Sequence, residues 1–145
     1  MAQVVTKGWD DLGRVLAAMP ADIDRAAKIV VTQSALLIEA EAKRNFIGSH
    51  SRREPHVGGN RPNVATGMLR RSILTVGPTS PAQGEWTAQV GPTAVYGRRV
   101  ELGYPGGAGR GRQRTRPFPY LRPAVESSTW QIRSIALAQW ARLFK

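Results

Sequence analysis

The chain of 145 residues is 41% hydrophobic, carries a formal charge of +11 and contains no cysteine. That length suits one domain with a modest core. The missing cysteines exclude disulfides, thiolate metal sites and cysteine nucleophiles together, and suit a reducing compartment. The positive charge is unevenly placed. Residues 43–122 hold 14 Lys and Arg against 3 Asp and Glu, whereas the two flanks carry 7 of each sign. The whole excess sits in the middle of the chain, where it serves solubility, contact with nucleic acid or contact with acidic neighbours.

In chain order, MAQVVTKGWDDLG lacks a basic start followed by an apolar stretch, so no signal peptide is expected. No apolar run approaches the ~20 residues of a membrane span, and no membrane association is expected. Trp9, Leu12, Leu16 and Met19 recur at helical spacing and predict a short amphipathic helix that stops at Pro20. A long helix should follow from about Ala21 to Phe46. Pro20 suits its first turn, Asp22 and Asp24 its positive end, and Lys43 and Arg44 its negative end. Ile23, Ala27, Val30, Ser34, Leu37 and Ile38 form one face, with Ile29 and Leu36 on a narrower second strip.

Residues 48–65, GSHSRREPHVGGNRPNVA, hold almost no core formers and read as an extended or mobile loop. TGMLRRSILTVGP then reads as a short turn leading into a strand with Leu74 and Val76 on one face. EWTAQVGP alternates, with Trp86, Ala88 and Val90 on one side and Thr87 and Gln89 on the other. The Pro/Gly-containing link between them predicts an antiparallel hairpin. AVYGRRVELG fits either a helical turn or a strand end. Residues 103–116 form a second Gly/Arg loop, and a final helix is expected from about Pro123 to Phe144. Val125, Ile132, Ala136 and Leu143 mark its core stripe, while Trp130, Leu137 and Phe144 repeat every seven residues on another face. The sum is a single α+β domain over 1–145, a small antiparallel sheet packed with long N- and C-terminal helices.

Nothing in the pattern favours catalysis. Every aspartate lies within the first 24 residues, and both histidines, His50 and His56, fall in the first loop. A general acid–base site needs titratable groups held close together on a rigid scaffold. No catalytic residue, metal or cofactor is expected. GGAGRGR mimics a phosphate cradle but leads to Gln113 and Arg114 rather than to a helix with Lys and Ser/Thr. Arg110, Arg112, Arg114 and Arg116 alternate with small or polar residues, so an extended chain would splay them along one side. Such a segment suits a solvated loop or contact with nucleic acid. The strip of Trp130, Leu137 and Phe144 suits either a helix buried on two sides or a subunit interface, where aromatic anchors are common.

Several segments, in order, carry a resemblance. Lys7-Gly8-Trp9-Asp10-Asp11-Leu12 opens the chain, and a long helix ends in Ala42-Lys43. There follow Thr66-Gly67-Met68-Leu69-Arg70-Arg71-Ser72-Ile73, then Tyr96-Gly97 with Val100-Glu101-Leu102-Gly103, then Pro119-Tyr120-Leu121-Arg122-Pro123-Ala124. Their order resembles the small neck proteins of long-tailed bacteriophages, called head–tail joining or tail-completion proteins. The likeness spans nearly the whole chain and departs from the family's pattern in the long Arg-rich loops 48–65 and 103–116.

The resemblance implies a structural virion protein in a homo-oligomeric ring, expected as a hexamer, at the head–tail junction. It would be assembled in the host bacterial cytoplasm. The implied partners are a portal-side or head-closure protein and a tail terminator or tail tube protein, with genomic DNA passing through without sequence-specific binding. Thr66 is expected to cap the next turn, Gly67 to permit a tight path, Glu101 to pair with Arg70 or Arg122, and Pro123 to start the last helix. Expected interface residues are Arg52, Arg53, Arg61, Arg110, Arg112, Arg114 and Arg116 with Trp130, Leu137 and Phe144. The competing reading is a free basic nucleic-acid-binding protein acting through the Arg-rich loops, although these lack interleaved aromatics.

Overall fold

A computed structural model describes residues 7–49, 59–82, 84–106 and 115–144, with the side chains of residues 7–11 and of Ser49 left out. The fold is α+β, as the periodicities predict: a long helix at each end and a small antiparallel sheet between them.

Helix α1 runs unbroken from Lys7 to Arg44. The stop expected at Pro20 does not occur, and the two expected helices are one. Proline removes a single backbone donor and presses on the carbonyl four residues back, here that of Leu16. That stretch of α1 is exposed, so water can reach the freed carbonyl. Alanines and leucines of high helix propensity on both sides carry the helix through. Its last turn is held by Lys43 to Glu39 (2.6 Å) and by Arg44 to Glu41.

The chain then forms strand β1 (Ile47–Ser49), which pairs in parallel with β2 (Asn63–Val64). The expected loop 48–65 is therefore closed at its described ends by a short ladder, supported by Asn63 Nδ2 donating to the Ile47 carbonyl (3.1 Å). Helix α2 (Met68–Arg71) leads into β3 (Ile73–Thr79), which pairs antiparallel with β4 (Thr87–Pro92), Thr75 standing opposite Val90. The expected hairpin is present, and β4 alternates as its sequence indicates.

Leu74 and Val76 share one face of β3, as the sequence indicates, and that face is the outward one. Ile73 is fully buried and Thr75 half-buried, while Leu74 and Val76 point outward and are exposed. With a side-chain period of two, one isoleucine seated in the core decides the facing of the whole strand. Thr75 inside is satisfied, donating its hydroxyl to Glu39 Oε2 of α1 (2.7 Å).

AVYGRRVELG resolves to helix α3 (Gly97–Leu102), and the last helix, α4, spans Leu121–Leu143. Pro123 falls within its first turn, where a missing N–H costs nothing. Asn45 Nδ2 donates to the Tyr120 carbonyl (2.8 Å), fixing the start of α4 beside the end of α1. The two helices then lie against each other over much of their length. The buried positions of α4 are Ala124, Ser128 and Gln139. Val125, expected on the core stripe, is exposed instead. Ala26, Ala35 and Ala42 are the buried hydrophobics of α1 itself. Small residues let two helix backbones approach closely, which is how such a narrow stripe suffices.

Candidate functional site

All but the first of the segments that carry the resemblance converge on one knot, Lys7–Leu12 lying at the far end of α1. Leu69 and Ile73 from the α2–β3 segment, Tyr120 and Ala124 from the start of α4, and Ala42 and Phe46 from the end of α1 form the central core cluster. The rings of Phe46 and Tyr120 sit 5.0 Å apart. Burial, with the nearby Glu101 charge adding to it, drives the Tyr120 phenol well above its ordinary titration range. Its hydroxyl instead donates to the Gly97 carbonyl (3.3 Å).

Glu101 organises the same knot, but not through arginine. Its Oε2 accepts from the backbone N–H groups of Tyr120 (2.7 Å) and Leu121 (2.9 Å), and its Oε1 from that of Arg122 (2.9 Å). The expected pairing with Arg70 or Arg122 is thus corrected. The guanidinium of Arg122 donates to Glu126 (2.9 Å), which raises its pKa. The first N–H groups of a helix lack intrahelical partners and carry the positive end of its dipole. No side chain of the N-cap residue Tyr120 caps α4. A carboxylate from α3 therefore does the capping across 20 residues of sequence.

The glycines of these segments have steric reasons. A Cβ on Gly97 would collide with the Pro92 ring and come within 3.1 Å of the Tyr120 hydroxyl. At Gly103, φ is +74° and a Cβ would lie 2.8 Å from the Thr115 carbonyl. Backbone packs there because Tyr104 and Thr115 exchange two hydrogen bonds of 2.8 Å, and the Phe118 N–H donates to the Val100 carbonyl (2.8 Å). The second loop is thus pinned at its base. Gly67 takes φ +75°, as its tight path implies. Thr66 is a weaker cap than expected, its hydroxyl accepting from the Met68 N–H at 3.4 Å.

Beside the knot lies a groove of about 560 Å³, lined by Phe46, Val64, Met68, Tyr96, Val100 and Phe118 among others, with Arg70 at its edge. Its lining is mostly apolar, with Asn63 and Thr66 among it, and holds no carboxylate or histidine. Among the described residues no three His, Cys, Asp or Glu side chains are placed to hold a metal, and no helix is long and apolar enough to cross a membrane.

The expected interface residues divide. Arg52, Arg53, Arg110, Arg112 and Arg114 lie outside the described residues, as do His50 and His56. Arg61 is exposed. Arg116 is engaged, donating to the Gly59 carbonyl (2.8 Å) while its guanidinium lies 4.8 Å from the Phe118 ring centre. It ties the base of the second Arg-rich loop to the first loop. Trp130 and Phe144 are each 73% exposed and Leu137 58%, all on the side of α4 turned away from Ala124 and Ser128. Sequence reasoning missed Asn45 and the packing role of Gly97. An asparagine just past a helix end is a local signal for Asn45, but its partner 75 residues away is not. No protein-family model, curated protein or solved structure matches this chain.

Proposed function

We propose that this chain is a structural subunit of a long-tailed bacteriophage, acting in a ring at the head–tail junction and carrying out no catalysis. In that role it joins the portal-side connector to the tail, and its partners are copies of itself, a head-closure or portal-side protein, and a tail terminator or tube protein. The ordered motifs supply the family resemblance.

The observation that carries the reading is where the aromatics go. A domain this small could use Trp130 and Phe144 in its core, yet leaves both in water. Large exposed apolar side chains in a row mark a surface made to be covered. The motif residues, meanwhile, do scaffold work: Glu101 caps a helix, Gly97 and Gly103 admit close packing, and Tyr120 fills the centre.

The test is the copy number of the chain in purified particles, measured alongside its mass in solution. A fixed stoichiometry in particles and a discrete oligomer are expected. A chain missing from particles, or a monomer that binds DNA tightly, overturns the reading, the latter in favour of a free nucleic-acid-binding protein.

A further inference from the structure

We propose that the groove beside the knot binds a short segment of another protein, one in which a large apolar side chain stands next to acidic residues. The groove belongs to a single copy, so the inference goes beyond the ring and does not depend on it.

The floor of the groove is apolar, and part of it is bare. Met68 is 58% and Tyr96 41% exposed, with Val64, Val100 and Phe118 half-buried around them. A concave apolar surface of this size is where a domain takes a ligand. Its few polar side chains are partly spent. The Asn63 amide donates to the Ile47 carbonyl (3.1 Å), and the Thr66 hydroxyl accepts from the Met68 N–H (3.4 Å). A nucleobase would leave its hydrogen-bonding edges unpaired there, whereas an aliphatic or aromatic side chain has none to satisfy.

One end of the groove adjoins a second hollow of about 380 Å³, which shares Val64, Gly67 and Arg70 with it and adds Lys43 and Arg71. Three cations and no carboxylate line the two hollows together. Lys43 is offset by Glu39 (2.6 Å). Arg70 and Arg71 are exposed and have no carboxylate partner among the described residues. The Arg71 guanidinium donates to the Thr66 carbonyl (3.3 Å). Guanidinium forks match the paired oxygens of a carboxylate. Because Arg70 lines both hollows, an anion held there sits directly against the apolar floor.

The chain does not supply that anion itself. Asp22 is engaged by Arg25, Asp24 by Trp86 and Glu39 by Lys43. Glu41 is engaged by Arg44, Glu126 by Arg122 and Glu101 by the backbone of α4. In the sequence Asp10 and Asp11 are balanced by Lys7 and Arg14, and Glu54 is outnumbered by Arg52 and Arg53. Residues 107–114 add three arginines and no acid. A second copy is left with Glu85, one carboxylate against two guanidiniums. A different protein with an acidic run beside an apolar side chain satisfies both halves of the site.

The test is selection of a ribosome-displayed library of random short peptides on the native chain. Peptides that join a large apolar residue to adjacent Asp or Glu should be enriched. A synthetic copy of the enriched sequence, followed by fluorescence anisotropy, should bind Arg70→Glu about tenfold more weakly, because a charge-assisted pair becomes a repulsion. Met68→Ser should weaken it about threefold through lost apolar contact. Both positions are exposed, and helix content checks that each variant keeps its fold. Should either lose it, the native chain still decides: replacing the acids of the peptide by Asn and Gln should abolish binding. No enrichment overturns the proposal, as do peptides that bind both variants as well as the native chain. Single-stranded DNA of mixed sequence that binds more tightly than the peptide, and is lost with Arg70→Glu, overturns it in favour of nucleic acid. None of these readouts is the copy number in particles, so failure of this site and failure of the ring are told apart.

Discussion

Glu101 shows how one side chain can hold two parts of a fold together. Its two oxygens take three backbone N–H groups at the start of α4 while its own backbone belongs to α3. Glu101→Ala leaves those donors without partners in a half-buried place, and charge-assisted hydrogen bonds carry about 1.5–3 kcal/mol each. Shared solvent access reduces the sum, so a loss of roughly 3 kcal/mol is expected by denaturant unfolding. Glu101→Gln keeps an acceptor and should lose less. Equal losses for the two would show that the carboxylate oxygens are not what matters. Glu39 adds a pH-dependent contribution. Hydrogen bonds from Lys43 and then from Thr75 hold its carboxyl below the ordinary 4.5. A depressed folded-state pKa gives stability that is present above the unfolded value and lost as pH falls through the folded one. Glu39→Gln should therefore destabilise by ~1 kcal/mol at neutral pH. The difference from the native chain should shrink as pH falls below 4.5. A gap independent of pH down to acid unfolding would refute it.

At the scale of elements, helices were legible in the sequence, and so was strand alternation, but which face of β3 turns inward was not. The 3.6-residue period located both long helices because each has enough turns to average over single residues. Pro20 misled because one missing donor does not outweigh strong helix formers on both sides. The hairpin followed from its turn residues, but the facing of β3 depends on whether Ile73 or Leu74 enters the core, and a run of β-formers does not say. Glu101 illustrates the same limit at the site: an acid among arginines in sequence suggests an ion pair, while the fold supplies backbone donors instead. The seam between α1 and α4 carries its own test. Among the described residues the Ser128 hydroxyl is buried without a hydrogen-bond partner. Removing such a group relieves its desolvation cost, so Ser128→Ala should raise stability by about 1 kcal/mol. Destabilisation on thermal or denaturant unfolding would instead point to a partner for that hydroxyl.

For the whole molecule, the positive charge raises the question of what it faces. All of the excess of +11 lies between Lys43 and Arg122, and on the proposed reading a ring multiplies it by the number of copies. Arginines lining a DNA conduit would each add a salt-dependent attraction to phosphate and resist passage. The proposal therefore directs Arg112 and Arg114 toward acidic surfaces of adjoining neck or tail proteins. Reversing both to Glu should block joining and leave filled, tailless heads, visible by negative-stain microscopy. Normal particles that eject DNA at an altered rate would place those arginines at the channel wall instead.

The pinned base of the second loop has a mechanical meaning. Whatever grips residues 107–114 pulls on a backbone clasped at Tyr104 and Thr115 and bonded again at Phe118 and Val100. From there the path runs through Glu101 into the first turn of α4 and across Asn45 to the end of α1. Tension on the loop is thus delivered to the ends of two long helices. A joint built this way transmits load instead of yielding, which on the proposed reading is the property demanded of a coupling between a pressurised container and the tube that drains it.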